Sequence, residues 1–69
     1  MHNRIQTMRE SMGLTQDEVA KRAGVTRQTI NAIENNKYNP TLELAFRLAH
    51  LFGVTVDALF LYQAKEDRK

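Results

Sequence analysis

Three Gly-x-Thr triplets divide this chain of 69 residues into short segments: Gly13-Leu14-Thr15, Gly24-Val25-Thr26 and Gly53-Val54-Thr55. Glycine readily adopts the left-handed conformation that ends a helix. A threonine side chain accepts a hydrogen bond from the free amides at the start of the next helix. Each triplet therefore predicts the end of one helix, a tight turn and the beginning of another helix.

The segment between the first two triplets predicts a short helix followed by a sharp corner. It begins with the pattern of a capping box, Thr15 to Glu18, and ends at Gly24. Its apolar residues are Val19, Ala20 and Ala23. A second helix, capped by Thr26, follows at once and is rich in amide side chains. This is the arrangement of a helix-turn-helix that reads DNA.

Apolar periodicity and turn signals predict five short helices in all. They cover approximately residues 3–12, 16–23, 27–35, 42–52 and 56–60. The following segment, Leu61–Ala64, is compatible with a short strand, and Lys65–Lys69 carries only charged residues. We therefore expect one all-α DNA-binding domain over residues 1–64 and a charged, disordered tail over residues 65–69.

The composition argues against several classes of protein. The chain has no cysteine, and His2 and His50 are too few and too far apart for a structural metal site. No segment approaches the roughly 18–20 apolar residues of a membrane span, and the start does not resemble a signal peptide. We expect a cytoplasmic protein without metal or cofactor. Because so small a core is marginally stable, we also expect self-association.

The third predicted helix carries the side chains best suited to a DNA groove. With Ile30 and Ile33 turned toward the core, its opposite face is polar. Arginine forms two hydrogen bonds with guanine, glutamine and asparagine pair with adenine, and a small alanine allows contact with a thymine methyl group. The residues predicted to read bases are Arg27, Gln28, Asn31 and Ala32. The alternative is a polar face that contacts only water.

Residues at both ends of this region are predicted to contact phosphates. Gln16 lies in the first turn of the second helix, where free backbone amides favour anions. The full set is Gln16, Thr26, Thr29, Asn35, Asn36, Lys37 and Tyr38. The alternatives are a solvated Gln16 and a Tyr38 that packs under the loop. The net charge of +2 fits nucleic-acid binding only if the basic residues share one face.

Arg9 and Glu34 are predicted to form an ion pair between the first and third helices. Arg9 lies beside the apolar stripe of its helix, and Glu34 flanks Ile30 and Ile33. Such a pair has a structural role, and the loss of one partner would leave the other charge unpaired.

The segments Leu14–Ala20, Gly24–Asn35 and Lys37–Ala45 resemble the Cro/CI-type (XRE) family of prokaryotic helix-turn-helix regulators. The resemblance covers about residues 4–60. It implies a five-helix, lambda-repressor-like fold that binds double-stranded DNA as a homodimer and controls transcription. It places the family's phosphate-binding glutamine on Gln16, its base-reading residues on Arg27, Gln28 and Asn31 or Ala32, and its structural ion pair on Arg9 and Glu34.

Two details of the resemblance concern local structure. Asn36 stands where many members have glycine, and asparagine tolerates the left-handed conformation. The end of the chain resembles small stand-alone regulators of the cytolysin repressor type, whose tail pairs with the N-terminus in a β-ladder. That pairing would join His2 and Arg4 to residues 61–63. Since residues 2–4 are poor strand formers, a first helix starting at Asn3 is the alternative.

Apolar residues not needed for the core predict a dimer interface. They are Phe46, Leu51, Leu61 and Tyr62. A two-fold dimer would place its recognition helices about 34 Å apart, one turn of DNA. The leading hypothesis is a repressor that binds a palindromic operator, with no evident small-molecule ligand. The alternative is an antitoxin-like protein-interaction module with autoregulatory DNA binding. An enzyme is not expected, because no motif pairs a nucleophile with a base.

Overall fold

Five helices and a two-stranded ladder make up residues 1–61, the part of the chain that the computed structural model describes. In chain order they are β1 (His2–Asn3), α1 (Ile5–Ser11), α2 (Gln16–Ala23), α3 (Arg27–Glu34), α4 (Leu42–Phe52), α5 (Val56–Leu59) and β2 (Phe60–Leu61). This is the predicted five-helix fold with a short terminal ladder. Tyr62, Gln63 and the charged tail lie outside the described residues.

Threonine caps start four of the five helices. Thr15, Thr26, Thr41 and Thr55 each accept a hydrogen bond from the amide three residues further on. At the other ends of α2 and α4, Gly24 and Gly53 adopt φ angles of 77° and 70°. The boundaries predicted at the Gly24 and Gly53 triplets and the start of α2 after Thr15 are therefore confirmed, whereas α1 ends at Ser11, one residue before its predicted end.

The ladder corrects the predicted ends of the first and last helices. β1 and β2 are antiparallel, with His2 opposite Leu61 and Asn3 opposite Phe60. The helix predicted from Asn3 begins only at Ile5, because Asn3 is extended and its Oδ1 accepts a hydrogen bond from the Ile5 amide (3.1 Å). Phe60, predicted to be helical, is extended in β2. The sequence predicted that the C-terminal strand would start at Leu61. In the structure it starts one residue earlier, at Phe60.

A single buried cluster joins the helices. Its largest fully buried side chains are Ile5, Val19, Ile30, Ile33, Leu48 and Leu59. Ala20 and Ala23 are almost fully buried on α2, where small side chains allow close packing against α3. One side of α3 is thereby fixed in the core while its other side faces solvent. Within residues 1–61, no helix is long and apolar enough to cross a membrane.

Candidate nucleic-acid interface

The turn between α2 and α3 is short and tightly held. The Val25 amide bonds to the carbonyl of Ala20 (3.0 Å), and the Arg47 Nη1 donates to the carbonyl of Ala23 (3.3 Å). A Cβ on Gly24 would lie 3.1 Å from that nitrogen, in a left-handed conformation that other residues rarely adopt. A hydrogen bond within the turn and one from α4 therefore hold the corner between α2 and α3.

The exposed side of α3 forms a shallow depression with the start of α2. Arg27, Gln28 and Asn31 are exposed, and with Gln16 they line a cavity of about 240 Å³. The structure thus brings together three of the four predicted base-reading residues and one predicted phosphate-binding residue. Ala32 is half-buried and is not part of this lining.

Several predicted phosphate-binding side chains hydrogen bond within the protein. Thr26 caps α3 by accepting from the Thr29 amide (3.2 Å), and the two hydroxyls lie 3.0 Å apart. Asn35 Nδ2 donates to the carbonyl (2.9 Å) and to the Oδ1 (3.2 Å) of Asn31. Phosphate contacts from these side chains would therefore use their remaining donors.

The loop after α3 carries three more predicted phosphate-binding residues, Asn36, Lys37 and Tyr38, all of them exposed. Asn36 adopts the left-handed conformation expected from the sequence (φ 62°). Its Nδ2 lies 3.2 Å from Nδ1 of His2, so β1 lies beside this loop. This contact could not be inferred from the sequence, because it depends on the ladder that positions β1.

Tyr38 lies in the loop between α3 and α4. It is 46% exposed, and it also lines a small cavity with Val25, Thr29 and Leu44. The residue is therefore accessible from solvent and lies beside a cavity lined by both apolar and polar side chains.

Arg9 and Glu34 form the expected ion pair. Arg9 Nε donates to Glu34 Oε2 (2.8 Å), and Arg9 Nη2 donates to Oε1 (3.3 Å). The Arg9 Nη1 also donates to the carbonyl of Leu14 (3.1 Å). The side chains are only 12% and 4% exposed. The hydrogen bond with Glu34 raises the pKa of Arg9. The ion pair thus joins α1 to the end of α3.

Gln16 lies in the first turn of α2, as expected, and its side chain hydrogen bonds within the protein. It is half-buried, and its Nε2 donates to Glu34 Oε1 at 2.9 Å. Its Oε1 accepts from Asn31 Nδ2 at 3.5 Å. The side chain is thus held between the buried carboxylate and the exposed face of α3.

The start of α2 contains a complete capping box. The Thr15 hydroxyl accepts from the Glu18 amide (3.1 Å), and the Glu18 carboxylate accepts from the Thr15 amide (2.8 Å). The second of these bonds is the main reason that the pKa of Glu18 is lowered. The box satisfies two backbone donors and leaves the first amides of α2 for an anion.

A second surface, the α4–α5 groove, is apolar. It has a volume of about 970 Å³, and its lining includes Phe46, Ala49, Val54, Val56 and Phe60. The charged residues Glu43, Arg47 and Asp57, with His50, lie around it. Phe46 is 58% exposed.

Among the predicted interface residues that lie within residues 1–61, Phe46 and Leu51 line different surfaces. Phe46 lines the α4–α5 groove, whereas Leu51 is half-buried, packs against the core and lines another cavity beside the end of α2. Leu61 is exposed on β2, and Tyr62 lies outside the described residues. Leu42, which was not among the predicted interface residues, is 72% exposed one turn before Phe46. A spacing of four residues on α4 places both on the same side.

The arrangement matches a known family over most of the chain. The helix-turn-helix family model HTH_3 matches residues 5–59. The chain belongs to this helix-turn-helix family. An uncharacterised HTH-type transcriptional regulator of Methanocaldococcus jannaschii is 47% identical over 66 residues, covering 96% of this chain and 100% of the relative. An uncharacterised HTH-type transcriptional regulator of Archaeoglobus fulgidus is 42% identical over 66 residues, covering 96% of this chain and 94% of the relative.

Solved structures have the same fold as this regulator. The restriction-modification controller protein C.AhdI from Aeromonas hydrophila aligns with a TM-score of 0.76 and 26% identity, over 83% of this chain and 86% of that one. The N-terminal DNA-binding domain of SinR from Bacillus subtilis aligns with a TM-score of 0.75 and 28% identity, over 90% of each chain. The fold is therefore lambda-repressor-like, and the chain is a DNA-binding transcriptional regulator and not an enzyme.

Proposed function

We propose that this regulator represses transcription by binding a palindromic operator as a homodimer, with α3 of each copy in the major groove. The observation that carries the proposal is the grouping of Arg27, Gln28 and Asn31 on the exposed side of a helix whose other side is fixed in the core. A rigid helix with an outward polar face is what direct reading of base edges requires.

The surroundings of α3 support contacts with the DNA backbone. The start of α2 offers free amides on one side of the helix, and the loop with Lys37 and Tyr38 lies at its other end. Arg27 adds positive charge at the beginning of α3. A crystal structure of SinR, 30% identical to this chain with a TM-score of 0.70 over 77% of it and 86% of the SinR chain, is a complex with DNA.

The α4–α5 groove is the proposed interface of the homodimer. Phe46 of one copy would insert against Val54, Val56 and Phe60 of the other, as a two-fold interface requires. Burial of an exposed phenylalanine removes a large apolar surface from water. Leu42, on the same side of α4, would extend the contact, and Leu51 is left out because it packs against the core.

The exposed side of α3 and the α4–α5 groove are sufficient for repression by steric exclusion. A dimer whose recognition helices are about 34 Å apart would cover at least one turn of DNA. When the operator overlaps a promoter, the bound dimer would exclude the polymerase.

Selection of bound DNA from a random pool at about 150 mM salt tests the proposal, because specific binding is best separated from nonspecific binding at physiological salt. We expect an enriched palindrome whose half-site centres are about ten base pairs apart. In vitro transcription from a promoter that contains the selected site should then fall on addition of the protein. A folded protein that selects no sequence would contradict the proposal and favour the antitoxin-like alternative.

A further inference from the structure

A chain of side-chain hydrogen bonds runs from the exposed face of α3 to the buried carboxylate of Glu34. Asn35 Nδ2 donates to Asn31 Oδ1 (3.2 Å), and Asn31 Nδ2 donates to Gln16 Oε1 (3.5 Å). Gln16 Nε2 then donates to Glu34 Oε1 (2.9 Å). Every donor in the chain points toward Glu34.

The chemistry of the carboxylate fixes this direction. An ionised carboxylate only accepts hydrogen bonds, whereas an amide has a donor end and an acceptor end. Gln16 must therefore turn its nitrogen toward Glu34, which leaves its oxygen to face Asn31. Asn31 in turn directs its nitrogen toward Gln16, which leaves its oxygen as the acceptor for Asn35.

Burial and charge make Glu34 a firm anchor for the chain. Its side chain is 4% exposed, and Arg9 donates to both of its oxygens (2.8 and 3.3 Å). The guanidinium of Arg9 is a permanent cation, and its two hydrogen bonds to the carboxylate are charge-assisted. Asn31, at the other end, is exposed in the depression that also contains Arg27 and Gln28.

We propose that Glu34 is a positioning residue for base reading: through Gln16 it sets the amide orientation of Asn31 and hence the base that Asn31 prefers. The proposal rests on the proposed operator binding. A fixed amide keeps one donor hydrogen and one acceptor lone pair at defined places on the DNA-facing side. Adenine, with an acceptor at N7 and a donor at N6, matches such a pair in one orientation.

Base preference, not affinity alone, distinguishes this role from a structural one. Binding of Asn31→Ala to a set of operators with single base-pair changes identifies the position at which Asn31 reads. At that position, the affinity ratio between the preferred and the substituted base pair is then measured for each folded variant.

Glu34→Gln replaces the acceptor-only group by one that also donates, so both amide orientations of Gln16 become possible. We expect the ratio at the Asn31 position to fall about fivefold or more, which is the lower range of discrimination by one good pair of hydrogen bonds. Arg9→Lys is the matched control, because it weakens the ion pair while it keeps a cation beside the carboxylate. In Arg9→Lys, the affinity ratio at the Asn31 position should stay within about twofold of the ratio measured for the unmodified protein.

Gln16→Met decides the question if Glu34→Gln does not fold. It interrupts the chain but leaves Arg9 and Glu34 paired, and we expect the same loss of preference at the Asn31 position. The positioning role would be overturned if the affinity ratio at the Asn31 position were unchanged in Gln16→Met. It would also be overturned if Asn31→Ala lost no base preference at any position. Failure of the unmodified protein to select any sequence would instead contradict the proposed function.

Discussion

The guanidinium of Arg9 on α1 and the carboxylate of Glu34 at the end of α3 lie 2.8 Å apart and are mostly shielded from water. The first helix of the chain is thereby connected to the helix that presents Arg27 and Asn31. A buried pair of this kind adds little net stability compared with apolar residues, but the loss of one partner leaves an uncompensated charge.

Substitution of Arg9 alone is therefore expected to lower the free energy of unfolding more than substitution of Arg9 and Glu34 together. Arg9→Met should lower the free energy of unfolding by about 3–5 kcal/mol, because Glu34 keeps its charge in a buried site. The double variant with Glu34→Leu should recover much of this loss. Urea unfolding monitored by circular dichroism gives both values, and a double variant less stable than Arg9→Met would contradict the account.

Arg27→Ala should relax base preference at one position of the operator. We expect a loss of about 1–3 kcal/mol on the selected site and a smaller loss on random DNA, because a base contact counts only where the base is correct. Fluorescence anisotropy with both DNAs measures the difference. Arg22→Ala, which removes an exposed arginine of α2, is the control. Equal losses on the two DNAs would exclude base reading by Arg27.

Lys37→Ala should weaken binding to all sequences by a similar factor. A lysine that neutralises one phosphate releases about one counterion, so the slope of log K against log salt should become shallower by about 0.9. Titrations at several salt concentrations measure the slope. Lys21→Ala is the control, since Lys21 is exposed on α2 and pairs with Asp17 at 3.5 Å. A slope unchanged by Lys37→Ala would place this lysine away from the phosphates.

Phe46→Asp should convert the proposed dimer to a monomer without unfolding the domain. The residue is 58% exposed in the single chain, so its replacement leaves the core intact but puts a charge into the apolar contact. Sedimentation velocity and operator binding should both detect the loss. Met12→Asp, at an exposed apolar site outside the α4–α5 groove, is the control. Retention of the dimer in Phe46→Asp would move the interface to another surface.

Acid should remove the contribution of the Glu18 cap to stability. The hydrogen bond with the Thr15 amide lowers the pKa of Glu18 in the folded protein, so its stabilisation is fully present above the unfolded value of about 4.5. As pH falls through the lower folded value, this stabilisation is lost. The difference in melting temperature between the unmodified protein and Glu18→Gln should therefore be larger at pH 7 than at pH 3. A difference that does not change with pH would show that the charge of Glu18 has no part in the cap.

Local chemistry made the helices of this protein predictable. The threonine caps and the left-handed glycines at positions 24 and 53 each act within three or four residues, so their outcome can be inferred from a short stretch of sequence. The polar face of α3 could be inferred for the same reason, since Ile30 and Ile33 define its inward side. The pairing of Arg9 with Glu34 was also expected, because both lie beside the apolar stripes of their helices.

Contacts between distant parts of the chain were decided by the tertiary structure. Asn3 is extended instead of helical because Phe60, at the far end of the described chain, is its partner. Gln16 turns toward Glu34, 18 residues away, because the packing of α2 against α3 brings its amide to a buried carboxylate. The α4–α5 groove likewise exists only once both helices are in place. The sequence by itself determined where helices begin and end, because capping is local; packing determined which polar groups meet, because only the folded core brings them within hydrogen-bonding distance.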